Sequence, residues 1–204
     1  MVSLKNLFFI ALSGALVFSC GNPENDPGEQ SPFNDPIVVQ MYDAAAKGDT
    51  EFIAHYAEAK EAVYRTVYAK LMASIQPDAA PEALEDLLMD PIPYVRLYSA
   101  FAVGQIGNQK SLPALEKAIK KATIPEIKAE LLEAIGKCAD ENAMEYLVTH
   151  NPNTAIEEGG KMWGVYRGML AGQLKEDHQE VVVDHLQSNE EETSLAAAKL
   201  MSRQ

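Results

Sequence analysis

The sequence predicts an all-α fold in which helix pairs stack into an α-solenoid. Ala, Leu, Glu and Lys are abundant while runs rich in Val, Ile and Thr are few, a composition that favours helices. A helix–turn–helix unit also recurs, at 63–88, 94–119, 126–148 and 164–186. Because one helix pair cannot bury its own apolar face, repetition at this period indicates a stacked array.

A leading helix and five helix pairs account for the repeat. Four prolines fall in first turns of helices, where the missing N–H costs nothing: Pro36, Pro81, Pro113 and Pro125. Thr123 and Glu126 have the spacing of a capping box. The predicted helices are 36–46, then 50–58 with 62–75, 81–88 with 94–106, 112–121 with 125–138, 143–149 with 161–174, and 179–187 with 192–203.

The first 19 residues predict a signal peptide. After Lys5, residues 7–18 form an apolar run that is too short for a transmembrane helix of about 20 residues but suits the core of a secretory signal. The stretch Val17-Phe18-Ser19-Cys20 resembles a bacterial lipobox. That resemblance implies cleavage before Cys20 and a diacylglyceryl group on its thiol. The alternative is an ordinary signal peptide in which Cys20 is a bystander.

Residues 20–34 predict a flexible tether. They are rich in Pro, Gly and acidic residues, with Phe33 the only large apolar side chain, so they cannot pack. As a coil the segment would span roughly 20 Å. The predicted organisation is therefore a signal peptide at 1–19, a lipidated Cys20 with a tether through 34, and a solenoid at 35–204. We expect a lipid-anchored protein of the bacterial cell envelope, with the membrane and its face left open.

Composition and spacing also bear on the class of function. The net charge of −13 repels nucleic-acid phosphates, so no nucleic-acid partner is predicted. No two histidines stand three or four residues apart, and no glycine-rich phosphate loop is present. Cys138, near the end of a predicted helix, is interpreted as a packing residue. We predict no catalytic site, no metal and no cofactor.

The best-formed repeat, DPIPYVRLYSAFAVGQIGNQKSLPAL (90–115), resembles the HEAT repeat of bacterial proteins, including the subtype shared with phycobilisome lyases. In that family an aspartate in the turn and an arginine six residues later form a ladder along the stack, and Asp90 and Arg96 match this spacing. The resemblance implies that Asp90 caps the second helix and that Arg96 reaches a carboxylate. The cation recurs as Arg65, 31 residues before Arg96, and as Lys128, 32 residues after it, but neither has an aspartate six residues earlier. In the next unit Gly164 replaces the cation.

A cluster in the fourth unit is the candidate partner site. The turn predicted at 149–160 is longer than its counterparts and precedes Trp163, Tyr166 and Arg167. These three residue types are enriched at binding hot spots. The alternative is that Trp163 fills space left by two nearby glycines.

Two functions are considered. The first is a membrane-anchored scaffold that binds another protein in the envelope and has no catalysis of its own. The second follows from similarity to the N-terminal repeat region of lipoproteins that also carry a cyclophilin-type peptidyl-prolyl isomerase domain. Neither the strand pattern nor the active-site motif of cyclophilin occurs in this sequence, so the chain would be the non-catalytic portion of such an enzyme. A bilin lyase is a third, weaker possibility, against which the export signal argues.

The last predicted pair has more apolar residues than one buried stripe needs. We expect this face to be covered by a further repeat, by a following domain, or by self-association through residues 179–203.

Overall fold

The computed structural model describes residues 35–173 and 191–201. The predicted signal peptide, the tether and the helix at 179–187 lie outside the described residues. Within the described ranges the chain forms helices and turns and contains no strand. The α-helices there are α1 (Pro36–Lys47), α2 (Thr50–Ala54), α3 (Ala62–Ile75), α4 (Glu82–Asp86), α5 (Pro93–Ile106), α6 (Leu112–Lys121), α7 (Pro125–Lys137), α8 (Glu141–Thr149), α9 (Ala155–Leu170) and α10 (Glu191–Met201).

The helices pair and stack as the sequence predicts. The first helix of each pair is α2, α4, α6 or α8, and α2 and α4 each continue into a short 3₁₀ turn. The second helices α3, α5, α7 and α9 pack in a row, each against the next, while α1 packs on α2 and α3 and α10 packs on α9. The all-α solenoid is therefore confirmed.

The core lies between the first and second helices. On α5, Val95 and Ala102, which stand seven residues apart on one side of the helix, are fully buried. On α6, Leu112, Leu115 and Ile119 are also buried. Each large apolar side chain removed from water contributes about 1.5–3 kcal/mol, so it is this repeated stripe that drives the stacking.

One predicted helix start was wrong. We expected a long turn at 149–160 and a helix from 161, but α9 begins at Ala155. The Thr154 hydroxyl accepts a hydrogen bond from the backbone N–H of Glu157 at 3.2 Å and so caps the helix. Gly159 and Gly160 suggested a turn, but both are helical and buried. At Gly160 the reason is the close approach of α7, since a Cβ there would overlap the backbone of Ala129.

The predicted capping box at Thr123 and Glu126 was also wrong. Pro125 occupies the first turn of α7, as expected, and this makes Ile124 the N-cap residue, without a side-chain cap. Thr123 therefore stands one residue too early to cap the helix. A separate structural finding is that no helix in 35–173 or 191–201 is both long enough and apolar enough to cross a membrane.

Candidate functional site

Asp90 joins two neighbouring repeats, but its partner is Arg65 and not Arg96. Arg65 Nε donates to Asp90 Oδ2 at 2.6 Å, and Nη2 donates to Oδ1 at 3.0 Å. Only 4% of the Asp90 side chain and 11% of the Arg65 side chain are exposed. Asp90 Oδ1 also accepts from the backbone N–H of Ile92 at 2.8 Å, just before α5. One carboxylate thus ties the start of α5 to α3.

Arg96 makes a different contact from the one expected. Its Nη1 donates to the backbone carbonyls of Asp90 at 2.7 Å and Pro91 at 3.2 Å, and among the described residues it contacts no carboxylate. The physical reason is that Arg65 already pairs with the Asp90 carboxylate, and Ala122 stands where the next repeat would need an acid. Arg96 instead braces the turn that precedes its own helix.

The same bracing contact recurs along the stack. Arg65 Nη1 donates to the carbonyls of Ala59 at 2.7 Å and Lys60 at 2.9 Å, which match the contacts of Arg96 residue for residue. In the fourth pair the buried Lys161 Nζ donates to the carbonyls of Val148 at 3.0 Å and His150 at 2.9 Å. Burial lowers the pKa of Lys161. A cation therefore braces the turn before the second helix in the first, second and fourth pairs.

Lys161 is the cation of the fourth pair. The sequence analysis had aligned Gly164 with the earlier cations and so had predicted that this pair lacks one. Lys161 follows Lys128 by 33 residues, in line with the earlier spacings of 31 and 32. Lys128 itself forms an ion pair with Glu157 of α9, Nζ to Oε1 at 3.0 Å, and Glu157 is buried. Burial raises the pKa of Glu157, but hydrogen bonds from Asn153 and Lys128 outweigh it, so the pKa is lowered overall.

Aromatic rings and cations alternate across the second helices. Lys70 Nζ of α3 lies 4.1 Å from the ring centroid of Tyr98 on α5. Lys137 Nζ of α7 lies 5.5 Å from the ring of Phe101 on α5. Cations at these distances are attracted to the negative face of the ring. We define the aromatic–cation face by the residues that line it: Lys70, Tyr94, Tyr98, Phe101, Glu130, Glu133, Lys137, Trp163 and Arg167.

Tyr94 is the most exposed aromatic residue of this face and was missed by the sequence analysis. It shares one side of α5 with Tyr98 and Phe101, because the three stand at i, i+4 and i+7. Tyr94 is 47% exposed. The spacing could have selected it, but α5 is apolar on almost every side, so spacing alone did not show which side faces the core.

Trp163, Tyr166 and Arg167 lie together on α9. The Trp163 and Tyr166 rings meet edge to face with centroids 5.6 Å apart, and the Arg167 guanidinium lies 5.9 Å from each. Tyr166 is buried and Trp163 is half-buried. Arg167 Nε donates to Glu133 Oε1 of α7 at 3.1 Å. Trp163 and Arg167 are thus the members of this cluster that a partner can reach.

The space beside the α9 glycines is filled from elsewhere. A Cβ at Gly164 would overlap the backbone of Leu132, and one at Gly168 would overlap the Met144 sulfur. Leu132 of α7 and Met144 of α8 thus lie against these glycines, and Trp163 itself packs in part against the hydrophobic core.

Glu133 connects the cations of α7 and α9. Its Oε1 is 3.0 Å from Lys137 Nζ and 3.1 Å from Arg167 Nε. Burial raises the pKa of Glu133, but the two cations outweigh burial and lower it overall. Glu133 is therefore ionised at neutral pH and fixes both cations beside the aromatic rings.

Cys138 has no geometry for nucleophilic chemistry. It is buried, with Sγ 3.7 Å from the carbonyl oxygen of Val103, and burial raises its pKa to about 12. Because the thiolate is the nucleophile, this thiol is unreactive in the folded protein. Within the described part of the chain, no three His, Cys, Asp or Glu side chains are grouped as metal ligands.

Comparison with known proteins supports this architecture. A profile of HEAT repeats matches residues 81–154. The complex of CpcE and CpcF of phycocyanin lyase from Nostoc sp. PCC7120 is similar in structure, with a TM-score of 0.59 at 14% identity over 88% of this chain and 79% of that chain. An engineered protein from the Northeast Structural Genomics Consortium has a TM-score of 0.48 at 16% identity over 81% of this chain and 83% of its own. Comparison with curated proteins gives no match.

The HEAT-repeat profile and the similarity to the lyase complex define the class of fold, an all-α solenoid of HEAT type. At 14% identity, similarity to the lyase complex shows fold alone, because one fold hosts many functions. The association with a peptidyl-prolyl isomerase stays a prediction.

Proposed function

We propose that this protein is a lipid-anchored scaffold of the bacterial cell envelope that binds another protein through its aromatic–cation face. The observation that carries the proposal is the set of partly exposed aromatic side chains on two second helices, Tyr94, Tyr98 and Phe101 on α5 and Trp163 on α9. Between these two helices α7 contributes charged side chains and no aromatic ring. Tyrosine, tryptophan and arginine provide most of the binding energy at many protein interfaces.

The way this face is built favours protein recognition. Its residues lie on helices, and contacts between neighbouring helices hold several side chains in place, such as Arg167 on Glu133 and Lys70 on Tyr98. Side chains that are already ordered lose less entropy when a partner binds. A stack of paired helices also offers an extended surface, as repeat proteins commonly do.

A cross-linking experiment tests the partner surface. We expect a photo-crosslinking phenylalanine analogue in place of Tyr94, introduced into the full chain in its native cells, to give a discrete adduct with one envelope protein. The yield should fall several-fold when Trp163→Ala is added, because the partner then loses an aromatic contact two helices away.

The matched control carries the same analogue in place of Glu116 on α6, a first helix. We expect no adduct there. The same adduct from both positions, or none from position 94, would show that the aromatic–cation face is not the binding surface.

Anchoring rests on the lipobox resemblance at Cys20 and has its own test. We expect labelled palmitate to be incorporated into the full chain and to be lost in Cys20→Ser, because only the thiol can accept the diacylglyceryl group. Cys138→Ser is the control and should keep the label, since the Cys138 thiol is buried. Label retained in Cys20→Ser would overturn the anchor.

A further inference from the structure

His150 carries a ring nitrogen that is shielded from solvent and unpaired. The residue is the C-cap of α8, and its ring lies against that of Tyr146, one turn earlier, with centroids 5.6 Å apart. Its Nε2 has no hydrogen-bond partner among the described residues. Buried polar atoms in native proteins are nearly always paired, so this exception calls for an explanation.

The polar groups around His150 are already engaged with one another. The buried amine of Lys161 on α9 donates to the backbone carbonyl of His150 itself at 2.9 Å. The carboxylate that acts on the ring is the buried Glu157 of α9. Its Oε1 pairs with Lys128 Nζ at 3.0 Å, and its Oε2 accepts from the backbone N–H of Asn153 at 3.0 Å. Both oxygens of this carboxylate are therefore in use.

A proton on His150 would add a third positive charge beside one carboxylate. The charged groups that act on the ring are Lys161 and Glu157 of α9 and Lys128 of α7. An imidazolium donates through both ring nitrogens, so its Nε2–H would be buried without an acceptor. The C-terminal end of α8 favours positive charge, but the amine of Lys161 already supplies it at the last carbonyls of that helix. A buried charge without a partner costs far more than a neutral nitrogen in the same place.

We propose that His150 is an acid-sensitive switch, neutral near pH 7, whose protonation in mild acid loosens the packing of α8 against α9. Trp163 and Arg167 of the aromatic–cation face lie on α9, so they lose their fixed position when this packing loosens. The effect on a partner rests on the proposed scaffold function, whereas the loosening itself does not.

The direction of the pH dependence follows from the burial of His150. Burial and the charge of Lys161 lower its pKa, against a smaller opposing effect of Glu157. In the unfolded chain the ring takes up a proton near the ordinary histidine pKa of about 6.5, which the folded chain resists. The unfolded state therefore binds more protons below about pH 6.5. Stability is lost as the pH falls through this value toward the lower pKa of the folded protein.

Trp163 reports on the fourth pair directly, because it lies on α9 and is the single tryptophan of the chain. The test follows its emission during thermal unfolding of the full chain at pH 7.5 and at pH 5.5. We expect the parent to melt at a lower temperature at pH 5.5. This acid-induced loss should be about 3 °C smaller in His150→Phe, which keeps a ring beside Tyr146 but cannot take up a proton.

Two further variants and one other titrating group complete the design. His150→Gln, with a smaller uncharged side chain, should show the same reduced loss even if phenylalanine does not fit. His55→Gln makes the matched change at an exposed histidine and should respond to acid like the parent. Burial raises the pKa of Glu130 to about 7, so this group titrates in the same range. Because Glu130 is present in every variant, the difference from the parent isolates His150.

The outcomes separate the switch from the scaffold function. An acid-induced loss as large in both His150 variants as in the parent would overturn the proposal. An equal reduction in His55→Gln would also overturn it, since the effect would then not depend on the buried ring. If the acid response depends on His150 while no cross-link forms from position 94, the switch stands and the scaffold function falls.

Discussion

Asp90→Ala is expected to lower the free energy of unfolding by about 3–5 kcal/mol, the range for removing one partner of a buried ion pair. The substitution leaves the Arg65 guanidinium buried, with only the carbonyls of Ala59 and Lys60 as partners. It also removes the hydrogen bond to the backbone N–H of Ile92. Urea denaturation of the full chain, followed by helical circular dichroism, measures the change.

Two further variants sharpen this prediction. Arg96→Ala should cost less, about 1–3 kcal/mol, because Arg96 only donates to carbonyls and is half-buried. The double variant Arg65→Met with Asp90→Leu should recover most of the lost stability, since apolar side chains of similar size often replace a buried pair without loss. A cost below about 1 kcal/mol for Asp90→Ala would mean that water screens this pair.

Gly136→Ala should be nearly as damaging, at about 3 kcal/mol, the upper end of the usual cost of overpacking. A Cβ at this position would overlap the backbone of Gly164 on α9, and backbone cannot move aside as a flexible side chain can. The helices α7 and α9 would have to separate along their shared contact. The preference of alanine for helices, worth about 1 kcal/mol relative to glycine, offsets only part of this cost.

Gly104→Ala, the equivalent change one repeat earlier, is the matched control. Its Cβ would lie 3.0 Å from the Cα and Cβ of Ala134, so a shift of a few tenths of an ångström relieves the crowding. We expect a cost of about 1 kcal/mol or less, measured in the same urea titration. If Gly136→Ala proved as stable as the parent, the close approach of α7 and α9 would not contribute to the fold.

Periodicity and proline placement were sufficient to predict most of the fold. The recurrence of Arg65, Arg96 and Lys128 gave the repeat length, and the predicted first-turn prolines Pro36 and Pro125 occupy first turns of helices in the structure. Both signals are local or depend on one fixed spacing. The start of α9 could not be predicted in this way, because Gly159-Gly160 is a turn signal that only the close packing of α7 overrides.

The candidate site was less accessible from the sequence. The cluster of Trp163, Tyr166 and Arg167 could be chosen by residue type, and the structure does place these residues together. Among the described residues, one oxygen of Glu130 stays unpaired because Lys137 and Arg167 both contact Glu133, one turn further along α7. Which carboxylate the two cations contact is set by tertiary packing, which no spacing rule contains.

The absence of an acid at Ala122 has a mechanical consequence. An ion pair crosses the joint between α3 and α5, and two cross the joint between α7 and α9, through Glu157 and Glu133. In the described part of the chain no ion pair crosses the joint between α5 and α7. A load that separates the second pair from the third is therefore resisted by helix packing and by the contact of Lys137 with Phe101, and not by an ion pair.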